Sequence, residues 1–175
     1  MNNPIYISIG SNCNPRIFIK NKLNLSKYNG YLSCPFDLCQ TPYVALCNCI
    51  KDDFAMFFVN LRLIEGVNAG GNRMKSGKGK LNITNYYNIV FNHESSTHSH
   101  LFSKGTNDDE YYTRNNFKLF KERYETRISN FRNYINNNNI INLVFFNESK
   151  VDLNIILLIL KNKYINKNFN IIYVG

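Results

Sequence analysis

Runs of apolar residues separated by polar, turn-forming segments predict an alternation of strands and helices along the chain. Residues 5–9 are β-branched and end at Gly10, which predicts a first strand. Similar runs predict strands at 85–91, 141–146 and 169–174. Because the last two runs are apolar without clear alternation, they are typical of strands in a parallel sheet that is covered on both faces.

In the segments between these strands, apolar residues recur at the spacing of a helix. Asn12 and Pro15 predict a helix start just after the first strand, since Asn caps helices and Pro is tolerated in a first turn. Three further segments have helical spacing: 44–64, 115–134 and 151–164. The alternation predicts an α/β fold, a single three-layer domain over residues 1–175 with a mostly parallel sheet and helices on both faces.

Composition and charge narrow the range of partners. Of the 175 residues, 44% are hydrophobic, which is typical of a globular protein with a real core. The net charge of +9 allows a nucleic acid or an acidic protein as partner. The basic residues are scattered, however, and their one local cluster is Lys75, Lys78 and Lys80, which favours a solvated surface over nucleic-acid binding.

The cysteines and the chain start predict a location. There are 5 cysteines, an odd number, and the N-terminus has neither a basic leader nor a long apolar stretch. No apolar run is long enough to span a bilayer, so we expect no membrane partner. Free thiols are typical of a reducing compartment. The expected location is therefore cytoplasmic, the host cell cytoplasm if the protein is viral, and not secreted.

Candidate metal and phosphate motifs lack the required spacing. The cysteines after Cys13 follow spacings C-x4-C, C-x7-C and C-x-C, which match no common zinc site: Cys34, Cys39, Cys47 and Cys49. HESSTHSH does not have the metalloprotease spacing, so His98 and His100 are predicted to be loop residues. GVNAGGNRMKSGKGK lacks the spacing of a phosphate-binding loop. We therefore expect no metal ion and no cofactor.

Two reactive side chains follow predicted strands, where α/β sheets gather functional groups. Cys13 follows the first strand at the start of a helix, where unpaired N–H groups and the helix dipole favour a thiolate. His93 follows the second predicted strand and is suited to accept the thiol proton. Ser11 is a competing nucleophile, since a strand–Gly–nucleophile–helix turn also occurs in α/β acyl hydrolases. The alternative from spacing alone is a packed cysteine and a hydrogen-bonded histidine.

Five short motifs then occur in an order that resembles one family. They are SIGSNC after the first strand, CPFDL at 34–38, VFNHE at 90–94, FKERYETRISNF at 120–131 and LVFF at 143–146. This order is similar to a family of largely uncharacterised proteins from bacteria and large DNA viruses, labelled putative papain-like cysteine peptidase. The resemblance covers most of the chain.

The resemblance implies a set of site residues. Cys13 would be the nucleophile and His93 the base. Asp37 of the Pro-Phe-Asp box would orient the histidine, with Glu94, where the family usually has Asp, as second candidate. Leu38 stands where the family tends to have Trp, which weakens any pocket that depended on the indole.

The helix motif predicts core contacts and a buried charge. Tyr124 and Phe131 fall on the apolar stripe of the predicted helix and are expected in the core. Arg127 lies next to that stripe, and we expect it to pair with an acid such as Asp37 or Glu94.

The functional hypothesis is acyl transfer. The Cys13 thiolate would attack a carbonyl, backbone N–H groups near Asn12 and Cys13 would hold the oxyanion, and His93 would protonate the leaving group. The expected substrate is a peptide, a protein isopeptide or a small acyl compound. The alternatives are a non-catalytic interaction module with a basic surface and a degenerate enzyme, for which Leu38 is the one hint.

Overall fold

The computed structural model describes residues 4–65, 81–94, 113–147 and 149–174. The regular elements, in chain order, are β1 (Ile5–Gly10), α1 (Asn14–Lys22), α2 (Tyr43–Lys51), β2 (Arg62–Glu65), β3 (Leu81–Thr84), β4 (Val90–Phe91), α3 (Arg114–Asn137), β5 (Ile140–Phe146), α4 (Leu153–Lys163) and β6 (Asn168–Tyr173). Within these residues the strands form two three-stranded sheets, a parallel sheet in the order β1-β5-β6 and an antiparallel sheet in the order β2-β3-β4. The predicted α/β fold class is confirmed.

The parallel sheet lies between two layers of helices. On one face Ile7 and Leu143 are fully buried in the main core, which also takes its residues from α2, α3 and α4. On the opposite face Val144 packs with Ile19 of α1 and with Tyr31 in a smaller cluster. The strand at the centre, β5, has five consecutive buried residues, which explains its near-continuous apolar run.

The segment after α2 differs from the prediction. A helix was predicted to continue to residue 64, but α2 ends at Lys51. Asp53 and Phe54 have positive φ angles of 58° and 66°, which a right-handed helix does not accommodate. Phe54 and Phe57 are nevertheless buried. Successive turns therefore place these aromatic side chains in the core at a spacing that imitates a helix.

The second predicted strand is also shorter than expected. Residues 85–91 were predicted to form one strand of the parallel sheet, but only β4 is extended, and it belongs to the antiparallel sheet. Asn85 explains the difference, because its Oδ1 accepts hydrogen bonds from the N–H groups of Tyr87 (3.1 Å) and Ile89 (3.2 Å). Its Nδ2 donates to the carbonyl of Phe57 at 2.9 Å. This side chain closes a turn where the apolar pattern predicted a strand.

The long helix α3 supplies one wall of the core. The structure confirms most of the helix predicted over 115–134, but Asn115, Asn116 and Phe117 have positive φ angles that interrupt the right-handed helix near its start. Its buried side chains share one face: Phe120, Tyr124, Arg127, Ile128, Phe131 and Ile135. Among the described helices, none is both long and apolar enough to cross a membrane.

Candidate active site

The turn after β1 places Cys13 at the N-terminal end of α1. Cys13 occupies the cap position and is half-buried, and its carbonyl accepts the bond from Ile17 N at 3.0 Å. Cys13 makes no side-chain cap bond, and the Oδ1 of the preceding Asn12 accepts from Asn14 N at 2.9 Å. The N–H groups of Asn12 and Cys13 donate to no backbone acceptor within the described residues. Unpaired N–H groups and the helix dipole therefore favour negative charge beside this thiol.

A cavity of about 510 Å³ lies beside this turn. Its wall is formed by Ser11, Asn12, Gln40, Thr41, Pro42, Asn88, Val90, Asn147 and Ser149. Two of these residues follow β1 and two follow β5, so the cavity lies at the carboxyl edge of the parallel sheet. The Oγ of Ser11 is buried and makes no hydrogen bond to any residue that the structure describes.

Backbone hydrogen bonds join this edge to β4, which leads to His93. The carbonyl of Ser11 accepts from Thr41 N at 3.1 Å. The preceding residue, Gln40, exchanges two backbone bonds with Val90, at 2.8 and 2.9 Å. His93 lies three residues after Val90 and is half-buried. The sequence predicted His93 at the end of a parallel strand; the structure instead connects it to the β1 edge through the antiparallel sheet and Gln40–Thr41.

Asp37 is buried in a set of polar contacts. Its Oδ1 accepts from the Tyr31 hydroxyl at 2.8 Å, its Oδ2 accepts from Cys34 N at 3.0 Å, and Arg16 Nε lies 3.8 Å from Oδ2. Burial raises the pKa of the Asp37 carboxyl from 3.8 to about 6, and the bonds from Tyr31 and Cys34 limit the increase. These contacts hold the turn that contains the Pro-Phe-Asp box. A role in orienting His93 stays a prediction.

The raised pKa predicts an unusual pH dependence of stability. Because the folded carboxyl keeps its proton up to about pH 6, Asp37 stabilises the fold below about pH 4 and this contribution is lost as pH rises through 6. We expect the unfolding free energy of the wild type, minus that of Asp37→Asn, to fall by about 3 kcal/mol from about pH 3 to about pH 7. Urea unfolding followed by circular dichroism measures both profiles. Parallel profiles would show that Asp37 titrates normally.

Glu94 forms the second buried carboxylate site. Its Oε1 lies 3.0 Å from Arg123 Nε, 3.4 Å from Arg127 Nη1 and 3.4 Å from the Tyr124 hydroxyl. The Glu94 side chain is fully buried, and that of Arg127 is 4% exposed. The predicted pairing of Arg127 with an acid is therefore observed. These contacts fix the residue next to His93, whereas a direct catalytic role of Glu94 stays a prediction.

Residues from three of the sequence motifs meet in the core. Phe36 of the Pro-Phe-Asp box packs edge-on against Phe131 of α3, with ring centroids 6.2 Å apart. Phe91, which precedes His93 by two residues, packs against Tyr124 at 4.8 Å. Tyr124 and Phe131 are fully buried, as the helix motif predicted. Much of the motif pattern therefore encodes packing around the site and not only the reacting groups.

The other four cysteines differ from Cys13 in burial. All five are free thiols, and the four that are buried are Cys34, Cys39, Cys47 and Cys49. Burial raises the pKa of each of these four thiols, that of Cys39 to about 12. In the part of the chain that the structure describes, no three His, Cys, Asp or Glu side chains are placed to hold a metal ion.

A comparison with models of known protein families identifies the family of this chain. A family model described as "Putative papain-like cysteine peptidase (DUF1796)" matches residues 4–174. The chain belongs to this family. Neither the curated proteins nor the solved structures contain a match. The match covers both the Cys13 turn and the β4–His93 segment, so the family assignment and the candidate site concern the same part of the molecule.

Sequence reasoning missed several residues that line the cavity. Asn147 follows β5 directly, and the strand-end rule applied to β5 would have found it. Gln40 and Asn88 reach the cavity through the pairing of Gln40 with Val90, which no local pattern encodes. Leu38, at the position where the family tends to have Trp, is half-buried. The lysine cluster of Lys75, Lys78 and Lys80, and the loop histidines His98 and His100, lie outside the described residues.

Proposed function

We propose that this protein is a thiol-dependent acyl hydrolase that uses Cys13 and His93 on a peptide, isopeptide or small acyl substrate. The observation that carries the proposal is the position of Cys13, half-buried at the N-terminus of α1 and directly after Ser11 and Asn12, which line a cavity at the carboxyl edge of the parallel sheet. The family's description names the same class of chemistry. The other four thiols are buried, which leaves Cys13 as the nucleophile.

The proposed reaction has two stages. The Cys13 thiolate forms a bond to the substrate carbonyl carbon, and the N–H groups of Asn12 and Cys13 stabilise the oxyanion. The bond from that carbon to the leaving nitrogen or oxygen breaks as His93 gives its proton to the leaving group. Water then attacks the thioester carbon while His93 takes a proton from it. The C–S bond breaks, the free acid leaves, and the Cys13 thiolate and protonated His93 are restored.

The buried carboxylates have supporting roles in this proposal. Glu94, fixed by Arg123 and Arg127, anchors the chain next to His93. Asp37 holds the turn from Cys34 and is bonded to Tyr31. The Ser11 hydroxyl lies at the cavity wall with no partner among the described residues, which suits it to contact the bound substrate.

Acylation by p-nitrophenyl acetate tests the proposal without knowledge of the natural substrate. We expect wild-type protein to release p-nitrophenolate catalytically and to carry a transient acetyl group on Cys13, located by mass spectrometry. Cys13→Ala should reduce turnover by about 10³-fold or more, and His93→Gln by about 10²–10⁴-fold. Neither variant should change the thermal midpoint by more than a few degrees.

Two matched variants give the controls. Cys47→Ala removes a buried thiol and should leave turnover unchanged. Ser11→Ala separates the two candidate nucleophiles, since it should slow the reaction and leave the adduct on Cys13. Turnover retained in Cys13→Ala, or acetylation spread over several thiols in folded protein, would contradict the proposal and favour the interaction-module alternative.

A further inference from the structure

A second cavity, of about 380 Å³, lies between the segment after α1 and one face of α3. Its wall is formed by Lys27, Tyr31, Leu32, Ser33, Arg123, Thr126, Arg127 and Asn130. None of these residues lines the cavity beside Cys13. The acyl-transfer proposal makes no use of this space, so its occupant is a separate question.

The charges around this cavity are strongly unbalanced. Three of its lining residues are cationic, namely Lys27, Arg123 and Arg127. Behind the wall, the Arg16 guanidinium lies 3.9 Å from the centre of the Tyr31 ring. Two buried carboxylates, Asp37 and Glu94, partly neutralise these four cations. With both carboxylates ionised, these described groups carry an excess of two positive charges.

Burial and the positive charges around the cavity change the pKa of Lys27 at its rim. Partial burial and the charges of Arg127 and Arg123 lower the pKa of the Lys27 ammonium. The structure shows no salt bridge to Lys27 from any described residue. Bringing an anion into the cavity would relieve the repulsion among these groups.

Hydrogen-bond donors also remain for a ligand. Arg127 lines the cavity, and its Nη1 is buried and lies 3.4 Å from Glu94 Oε1. Arg123 uses Nε towards Glu94, and its terminal nitrogens donate to no residue that the structure describes. The two guanidinium groups and the Lys27 ammonium come from two different elements of the chain. A guanidinium group can donate two hydrogen bonds to two oxygens of one phosphate, and an ammonium group adds a compact positive charge.

We propose that this cavity binds a dianionic phosphate group, either free phosphate or that of a phosphate monoester. The charge excess of two matches a phosphate dianion better than a single carboxylate. The volume of about 380 Å³ leaves room for an organic portion beyond the phosphate. The inference stands on this cavity alone and does not rest on thiol chemistry at Cys13.

Titration calorimetry with inorganic phosphate, phenyl phosphate and acetate tests the proposal. We expect saturable binding of phosphate and weaker or no binding of acetate. Lys27→Gln and Arg123→Gln should each weaken phosphate binding by about tenfold, since each removes a charge-assisted contact. Phenyl phosphate binding more tightly than inorganic phosphate would identify a monoester site, and equal binding would identify a site for the free ion.

Lys20→Gln is the matched control, because Lys20 is exposed on α1 and does not line the cavity. It should bind phosphate within about twofold of the wild type, since it removes one positive charge without removing a contact. Lys27 lies at the surface, with only its ammonium partly desolvated, and forms no salt bridge to a described residue, so its variant is expected to fold, which circular dichroism checks. The proposal is wrong if the wild type shows no saturable phosphate binding, if the cavity variants bind like Lys20→Gln, or if acetate binds at least as tightly as phosphate.

Discussion

Arg127→Met is expected to lower the free energy of unfolding by about 3–5 kcal/mol, because it leaves the Glu94 carboxylate without one of its buried cations. The Glu94 side chain is fully buried, so water cannot replace the lost interaction. Tyr124 also loses the guanidinium stacked over its ring, at 4.6 Å from the centroid. Urea unfolding followed by circular dichroism measures the change.

The control uses another cation of α3. Lys118 pairs with Glu122 at 3.9 Å, and both side chains are more than half exposed. Lys118→Met should therefore change stability by less than about 1 kcal/mol. Adding Glu94→Gln to Arg127→Met should recover part of the loss, since it removes a buried charge that, among the described residues, only Arg123 then balances. Equal effects of Arg127→Met and Lys118→Met would mean that the buried pair contributes no more than a surface pair.

The strands of the parallel sheet were predictable because each is a short run of apolar residues that the local sequence shows. Strands β5 and β6 were predicted at 141–146 and 169–174 and occur at Ile140–Phe146 and Asn168–Tyr173. Strand β6, at the edge of the sheet, has one buried residue, Phe169. Burial on both faces gives β5 its continuous apolar run. The same holds for β1, whose last four residues are all buried.

The antiparallel sheet was not predictable in the same way. Strands β2 and β3 have four residues each, and β4 has two, so none carries a clear period. Their pairing depends on partners distant in sequence, as does the bridge between Gln40 and Val90. The side chain of Asn85 also overrides local propensity by closing a turn.

In the candidate site, too, local features were predictable from the sequence and contacts that depend on packing were not. The cysteine at the helix start was predictable, because a strand end, a glycine and a helix cap are all local features. The actual partners of Asp37 and Glu94 were only partly predictable. Arg127 was expected near an acid, whereas the contact of Tyr31 with Asp37 depends on how the irregular segment between α1 and α2 folds back on itself. Sequence reasoning identified the ionisable groups better than their pairing.

Gly10→Ala is expected to disturb both the fold and the reactive turn. A Cβ at residue 10 would lie 2.7 Å from Pro15 Cγ, 2.9 Å from Phe146 O and 3.1 Å from Phe146 N. Two of these atoms belong to the backbone of β5, so the strand cannot move aside as a flexible side chain would. We expect a loss of about 3 kcal/mol in unfolding free energy, measured by urea denaturation. Because Pro15 belongs to the first turn of α1, Cys13 moves with it.

Displacement of the turn should reduce the reaction at Cys13 more than it reduces stability. A shift of about 1 Å in a reacting group can cost about 10²-fold in rate, so acetylation of Cys13 should slow by about that factor in protein that is still folded. Gly30→Ala is the matched control, because Gly30 has a positive φ of 96° and an added Cβ there would meet no atom within 4 Å. It should cost about 1 kcal/mol through backbone strain and leave the Cys13 rate unchanged. If Gly10→Ala acetylates at the wild-type rate, the close packing of β1, β5 and α1 does not position the thiol, and Cys13 reacts as an ordinary accessible cysteine.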